Sequence, residues 1–129
     1  MEINKDNITQ WLKTLQDNIC NALEIEDGLA KFKEENWTRE EGGGGRSRVI
    51  EGGNVIEKGG VMFSAVSGKT PDFLLKEKEH SVSDSTANES TFFATGVSIV
   101  IHPQSPLVPI IHMNIRYFEM SNGTKWLGG

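Results

Sequence analysis

Five residues in the C-terminal third of this 129-residue chain have types and spacing suited to chemistry: Ser98, His102, His112, Asn114 and Arg116. Imidazole exchanges protons near neutral pH. Guanidinium presents a planar fork of donors that matches a carboxylate. Hydroxyl and amide groups hold a polar ligand in place. The five sit in two segments, Thr91–Pro103 and His112–Phe118, in which polar and apolar residues alternate. Strand side chains point to opposite faces in turn. Gly96, Ser98, Val100 and His102 therefore share one face, with Val97, Ile99 and Ile101 on the other. In the second segment His112, Asn114, Arg116 and Phe118 share a face, opposite Met113, Ile115 and Tyr117. A hairpin across Pro103–Ile111 that sets His102 against His112 also sets Ser98 against Arg116, with opposed Cβ atoms ~4.5–5.5 Å apart. All five groups then lie on one surface, although a one-residue slip would turn one set away. The plainer alternative is the solvated face of a half-buried sheet. The two histidines also read as half of a metal site, and two ligands are too few to define one. His80, in a polar stretch, reads as a bystander.

A second group is Trp37-Thr-Arg39-Glu-Glu-Gly42-Gly43-Gly44-Gly45-Arg46-Ser47-Arg48. Consecutive glycines let backbone N–H groups approach a ligand, or provide a mobile flap or linker. A phosphate cradle is one reading, but Gly-Lys-Ser/Thr is absent and no strand–loop–helix pattern follows. All four arginines of the chain, Arg39, Arg46, Arg48 and Arg116, fall in these two groups. In an acidic chain that clustering predicts a locally positive site for an anionic ligand. The alternative is that Arg46 and Arg48, in phase on one strand face, pair with surface Glu. In a third group, Glu57-Lys58-Gly59-Gly60-Val61-Met62-Phe63-Ser64, the glycines predict a bulge or a close backbone approach, and Lys58 offers a further anion contact.

The elements that must position these groups follow from periodicity. Ile8, Trp11, Leu12, Leu15, Ile19 and Leu23 recur at three- and four-residue steps, predicting a helix over 4–24 capped by Asn4, Asp6 or Asn7. Asp27-Gly28 reads as a turn. Strands are expected at about 30–39, 45–50, 54–67, 93–102 and 112–120, with turns at Glu51-Gly52-Gly53-Asn54 and Ser121-Asn122-Gly123. Lys69–Thr91 reads as a long surface loop with one helical turn around Phe73–Lys78. Lys125-Trp126-Leu127-Gly128-Gly129 reads as the opening of another strand, so the expectation is one truncated domain over 1–129. A helix followed by an antiparallel meander is an α+β architecture.

Composition excludes several classes. With 36% hydrophobic residues, three Trp and six Phe, the chain has a core to bury and is not a disordered tail. No apolar run approaches the ~20 residues of a membrane helix. The net charge of −5 argues against nucleic acid. One cysteine, Cys20, makes neither an internal disulfide nor a Cys-rich zinc site. With no signal or transit pattern at the start, a reducing cytoplasm is expected.

The run from Trp37 through Arg39-Glu-Glu-Gly-Gly-Gly-Gly-Arg-Ser-Arg-Val, then Glu57-Lys-Gly-Gly-Val, Gly96-Val-Ser98-Ile-Val-Ile-His102-Pro and His112-Met-Asn114-Ile-Arg116-Tyr-Phe, closely resembles the oxygen-dependent coproporphyrinogen III oxidases. The resemblance runs from about residue 11 to the end, where Trp126-Leu-Gly-Gly129 is similar to the start of that family's Trp-Phe-Gly-Gly-Gly-Asp-Leu-Thr-Pro motif. It implies an N-terminal part of the enzyme, with a curved antiparallel sheet flanked by helices and a homodimer at full length. The implied activity is oxidative decarboxylation of two propionates of coproporphyrinogen III to vinyls, giving protoporphyrinogen IX in haem biosynthesis. Dioxygen is the implied co-substrate and no organic cofactor is implied. A divalent metal is left open, with His102 and His112 as its ligands. By position, His112 is the implied proton donor, Ser98 a substrate contact, and Asn114, Ile115 and Arg116 a substrate-lining run. Where some relatives have Thr-x-His-Ala-Asn, this chain has Ile110-Ile-His112-Met-Asn114. The competing expectation is an inactive fragment that only binds a tetrapyrrole or a partner. No turnover is expected of these 129 residues alone.

Overall fold

A computed structural model describes residues 3–71 and 90–129. Most of the expected surface loop, its helical turn at Phe73–Lys78 and His80 lie outside the described residues. One helix, α1 (Lys5–Asp27), precedes six strands: β1 (Lys33–Thr38), β2 (Gly43–Glu51), β3 (Ile56–Lys69), β4 (Thr91–Pro103), β5 (Ile111–Met120) and β6 (Lys125–Gly128). The strands form one antiparallel sheet in sequence order, as the α+β reading requires. The apolar ending is β6, paired to β5 from Arg116↔Gly128 to Glu119↔Lys125.

The helix begins where Asn4 accepts from the Asn7 N–H, and ends at Gly28, whose φ of 75° places it in the left-handed region. It therefore runs past the expected end at 24, through Asp27. Asp27 is buried and its carboxylate accepts from the N–H groups of Leu29, Ala30, Asn54, Val55 and Ile56. These bonds, led by that from Ala30, hold its pKa far below the usual carboxylate range. One carboxylate thus ties the end of the helix to the β2–β3 turn.

One stripe of α1 packs on one face of the sheet. Leu12 and Cys20 meet Ile50, Ile56, Val61, Phe63, Val97, Ile99 and Ile101, with Ile8, Leu15, Ile19 and Leu23 at the margin. Trp11 departs from the expected stripe and is half exposed, because it sits on the flank of the helix rather than over the sheet. Gln16 is fully buried among these apolar residues and is satisfied there. Its Nε2 donates to the carbonyls of Arg46 (2.7 Å) and Val61 (2.9 Å), and its Oε1 accepts from Arg46 Nε (2.7 Å). Burial pushes the Cys20 thiol pKa up, so it behaves as a small core residue.

The glycine run is neither a phosphate cradle nor a flap. Gly42 and Gly43, with φ of 128° and 82°, make the β1–β2 turn, closed by Arg39 N–H to Gly43 C=O at 2.9 Å. The rest of the run is paired strand, Gly44 to Thr38 and Gly45 to Trp37. The irregularity expected at Gly59-Gly60 lies one step earlier, between Ile56 and Lys58. Gly59 instead leaves room for Ile101 and Ile50 in the core.

Candidate functional site

Because the helix covers one face, the other stays open, and the register decides what it displays. Facing residues on neighbouring strands fall into rows that cross the sheet. One row is Trp37, Gly45, Ser64, Gly96, Arg116 and Gly128. The next is Glu35, Ser47, Met62, Ser98 and Asn114. A third is Lys33, Val49, Gly60, Val100 and His112. His102 lies beyond, opposite Lys58.

The expected register of β4 on β5 is corrected here. His102 does not face His112 and Ser98 does not face Arg116. Ser98 pairs with Asn114, Gly96 with Arg116 and Val100 with His112. The displacement is two residues, so every side chain keeps its face. Alternation settles parity, whereas the point where the chain leaves β4 settles register. That point is held from outside the hairpin: Gln104 donates from its backbone to Val55 C=O (2.8 Å) and from Nε2 to Gly53 C=O (3.0 Å).

Ser98, His102, His112, Asn114 and Arg116 therefore share the open face. Ser98 and Arg116 border a groove of about 460 Å³ whose walls also include Trp37, Ser47, Met62 and Ser64. Asn114 lies directly across from Ser98. His112 stands two same-face steps along β5 from Arg116, ~13 Å at strand spacing, outside the groove. Ile115 borders the groove, but its side chain packs against the core on the helix side. The alternation that sends Arg116 out sends Ile115 in.

The clustering of arginines into one positive site does not hold. Arg46 and Arg48 stand on the helix face. Arg46 Nη2 meets Asp17 Oδ1 at 2.7 Å and Arg48 Nη1 meets it at 2.8 Å, while Arg48 Nη2 meets Glu34 Oε1 at 2.9 Å. Arg39 pairs with Glu41 at 3.4 Å. Opposite charges on α1 and β1 satisfy Arg46 and Arg48, one in the β1–β2 turn meets Arg39, and the Arg48 hydrogen bond lowers the Glu34 pKa. The Arg116 guanidinium alone of the four meets no acceptor among the described residues. Exposed, unpaired and at the rim of a groove, it is free to bind an anion.

A metal does not fit the described residues. Structural and catalytic zinc sites use three or four protein ligands. No group of three or more His, Cys, Asp or Glu converges there, and His102 and His112 are staggered on adjacent strands. No helix among the described residues is long and apolar enough to cross a membrane.

Residues 7–129 match the family model described as coproporphyrinogen III oxidase. The chain belongs to that family. Its relatives include proteins named oxygen-dependent coproporphyrinogen-III oxidase. One from Prochlorococcus marinus (strain MIT 9515) is 46% identical over 126 residues, covering 97% of this chain and 35% of the relative. One from Synechococcus sp. (strain CC9902) is 45% identical over 126 residues, covering 97% and 33%. One from Prochlorococcus marinus (strain NATL2A) is 47% identical over 116 residues, covering 89% and 31%. The chain thus spans about a third of the length of these curated coproporphyrinogen oxidases. Met62 and Ser64 stand in the third sequence group, but sequence reasoning gave them no role as groove residues. A signal was present in the in-phase positions of β2 and β3, but it needs the register of four strands to be read.

Proposed function

We propose that this chain supplies the part of an oxygen-dependent coproporphyrinogen III oxidase that receives the substrate's propionates. The observation that carries the reading is Arg116: an unpaired guanidinium at the edge of a groove floored by small residues, in a chain of this family. The substrate carries four carboxylates, and a forked cation is the side chain best matched to one. Ser98 and Asn114, directly opposed, offer a hydroxyl and an amide to a second polar group beside it.

For each of two propionates, carbon dioxide leaves and one β-hydrogen departs with its electron pair, leaving a vinyl group. Dioxygen takes that hydrogen together with its electron pair, as a hydride, and with one further proton becomes hydrogen peroxide. The electrons come from a reduced tetrapyrrole that already reacts with dioxygen, so the protein's contribution is positioning, charge and proton handling. His112, on the same face, is the group assigned to move that proton. The resemblance further implies a homodimer at full length, and the single, buried Cys20 fits a reducing, cytoplasmic setting.

The test is aerobic incubation with coproporphyrinogen III, following saturable binding and the fluorescence of oxidised product. Binding that R116Q weakens supports the reading, and formation of protoporphyrin extends it to turnover. Binding without turnover selects the binding-module alternative. The absence of saturable binding overturns the reading.

A further inference from the structure

The row that crosses the whole open face has an unusual order of sizes. Between Trp37 on β1 and Arg116 on β5 it contains only Gly45, Ser64 and Gly96. Four strand spacings separate the two large residues, ~19 Å between backbones. The indole reaches across to Gly45, where an added β-carbon would collide with its Cζ2 and Cε2 atoms. Gly96 is equally constrained, since a β-carbon there would press on the Ile115 carbonyl and on Arg116. The row is thus a slot with a floor of glycine and serine, an aromatic wall at one end and a cation at the other.

The other exposed aromatic on this face is already engaged. Trp126 stacks on Phe118 at 4.2 Å between centroids, and Phe118 stacks on Phe92 at 5.6 Å. Trp37 makes no ring–ring stack among the described residues, is 39% exposed and lines the groove. An indole with a bare face at the wall of a slot is a stacking surface.

We infer that Trp37 is the aromatic wall against which a pyrrole ring of the bound tetrapyrrole packs, while Arg116, across the slot, takes a carboxylate of the same molecule. The inference rests on the propionate-binding reading above and adds a second, apolar contact to it. A side chain at Gly45 would displace the indole, and its β-carbon would also press on the Phe63 carbonyl.

The test titrates coproporphyrin III into the unaltered chain, Trp37→Ala, Trp37→Phe and R116Q, reading affinity and the displacement of the porphyrin Soret band. Trp37 lies on an edge strand whose residues are all exposed, so far-UV circular dichroism of the variants should match that of the unaltered chain. Expected are an affinity loss of about tenfold or more and a lost band displacement in Trp37→Ala, with Trp37→Phe within about threefold. R116Q should weaken binding while keeping the displacement. If R116Q weakens binding but Trp37→Ala leaves affinity and spectrum unchanged, the stacking wall is wrong and the propionate site stands. Equal losses in Trp37→Phe and Trp37→Ala likewise overturn stacking. No saturable binding to the unaltered chain removes both.

Discussion

Arg46 is 13% exposed and donates to Gln16, to the Lys13 carbonyl and to Asp17, whereas Arg116 is exposed and donates to no acceptor among the described residues. The two carry the same charge on opposite faces of the sheet, and their variants should separate stability from binding. Arg46→Met is expected to lower unfolding free energy by about 1–2 kcal/mol, since the buried Gln16 oxygen loses its donor, the loss being tempered by the exposure of Asp17. Denaturant titration reads it, and coproporphyrin affinity should not move. Arg116→Ala is expected to leave the denaturation midpoint in place and weaken binding of the tetracarboxylate by about tenfold, which a fluorescence titration reads. For a form of the protein that turns over, His112→Ala should lower kcat by about 100-fold or more with little change in melting temperature. Unchanged turnover would remove His112 from proton handling.

At the scale of elements, Asp27 has the widest reach. It accepts from five backbone N–H groups, two in the α1–β1 connection, two in the β2–β3 turn and one at the first residue of β3. Its folded pKa is depressed, so its stabilisation is fully present above the unfolded value of ~3.9 and is lost as pH falls through the folded value. Glu34, whose pKa Arg48 lowers, acts in the same direction. Asp27→Asn is expected to lower the melting temperature at pH 7 by on the order of 10 °C. It should also flatten the fall in stability between about pH 4 and pH 2, as thermal melts across that range would record. A variant whose acid profile matches the parent's would assign that fall to other carboxylates.

For the whole molecule, α1 covers only part of its face of the sheet. Beyond it, Ile111, Met113 and Leu127 are 55%, 39% and 68% exposed on the helix side of β5 and β6. Among the described residues, strand β6 has no further neighbour in the sheet. An open strand edge beside exposed apolar side chains favours association. Sedimentation velocity is expected to show concentration-dependent self-association of the 129-residue chain. Leu127→Lys, which places a charge on the edge strand, should reduce it without altering coproporphyrin affinity. A chain that sediments as a monomer at all concentrations would show that this edge is adequately protected.

The helix, the antiparallel order of the strands and the faces taken by Ser98, His102, His112, Asn114 and Arg116 were legible in the amino-acid sequence. Periods of 3.6 and 2 are local properties, and a polar set in phase stays in phase under any even displacement of register. The ordered motifs around Gly42–Arg48 and His112–Arg116 were likewise enough to mark the family. Contacts between residues far apart in the chain were not legible. That Ser98 faces Asn114 rather than Arg116 depends on Gln104 reaching across to Gly53 and Val55. That Arg46 and Arg48 are neutralised depends on which face α1 packs against, and so on where Asp17 lands. Local sequence set which side each side chain faces; only the folded sheet decided which charges meet a partner and which one is left open to a ligand.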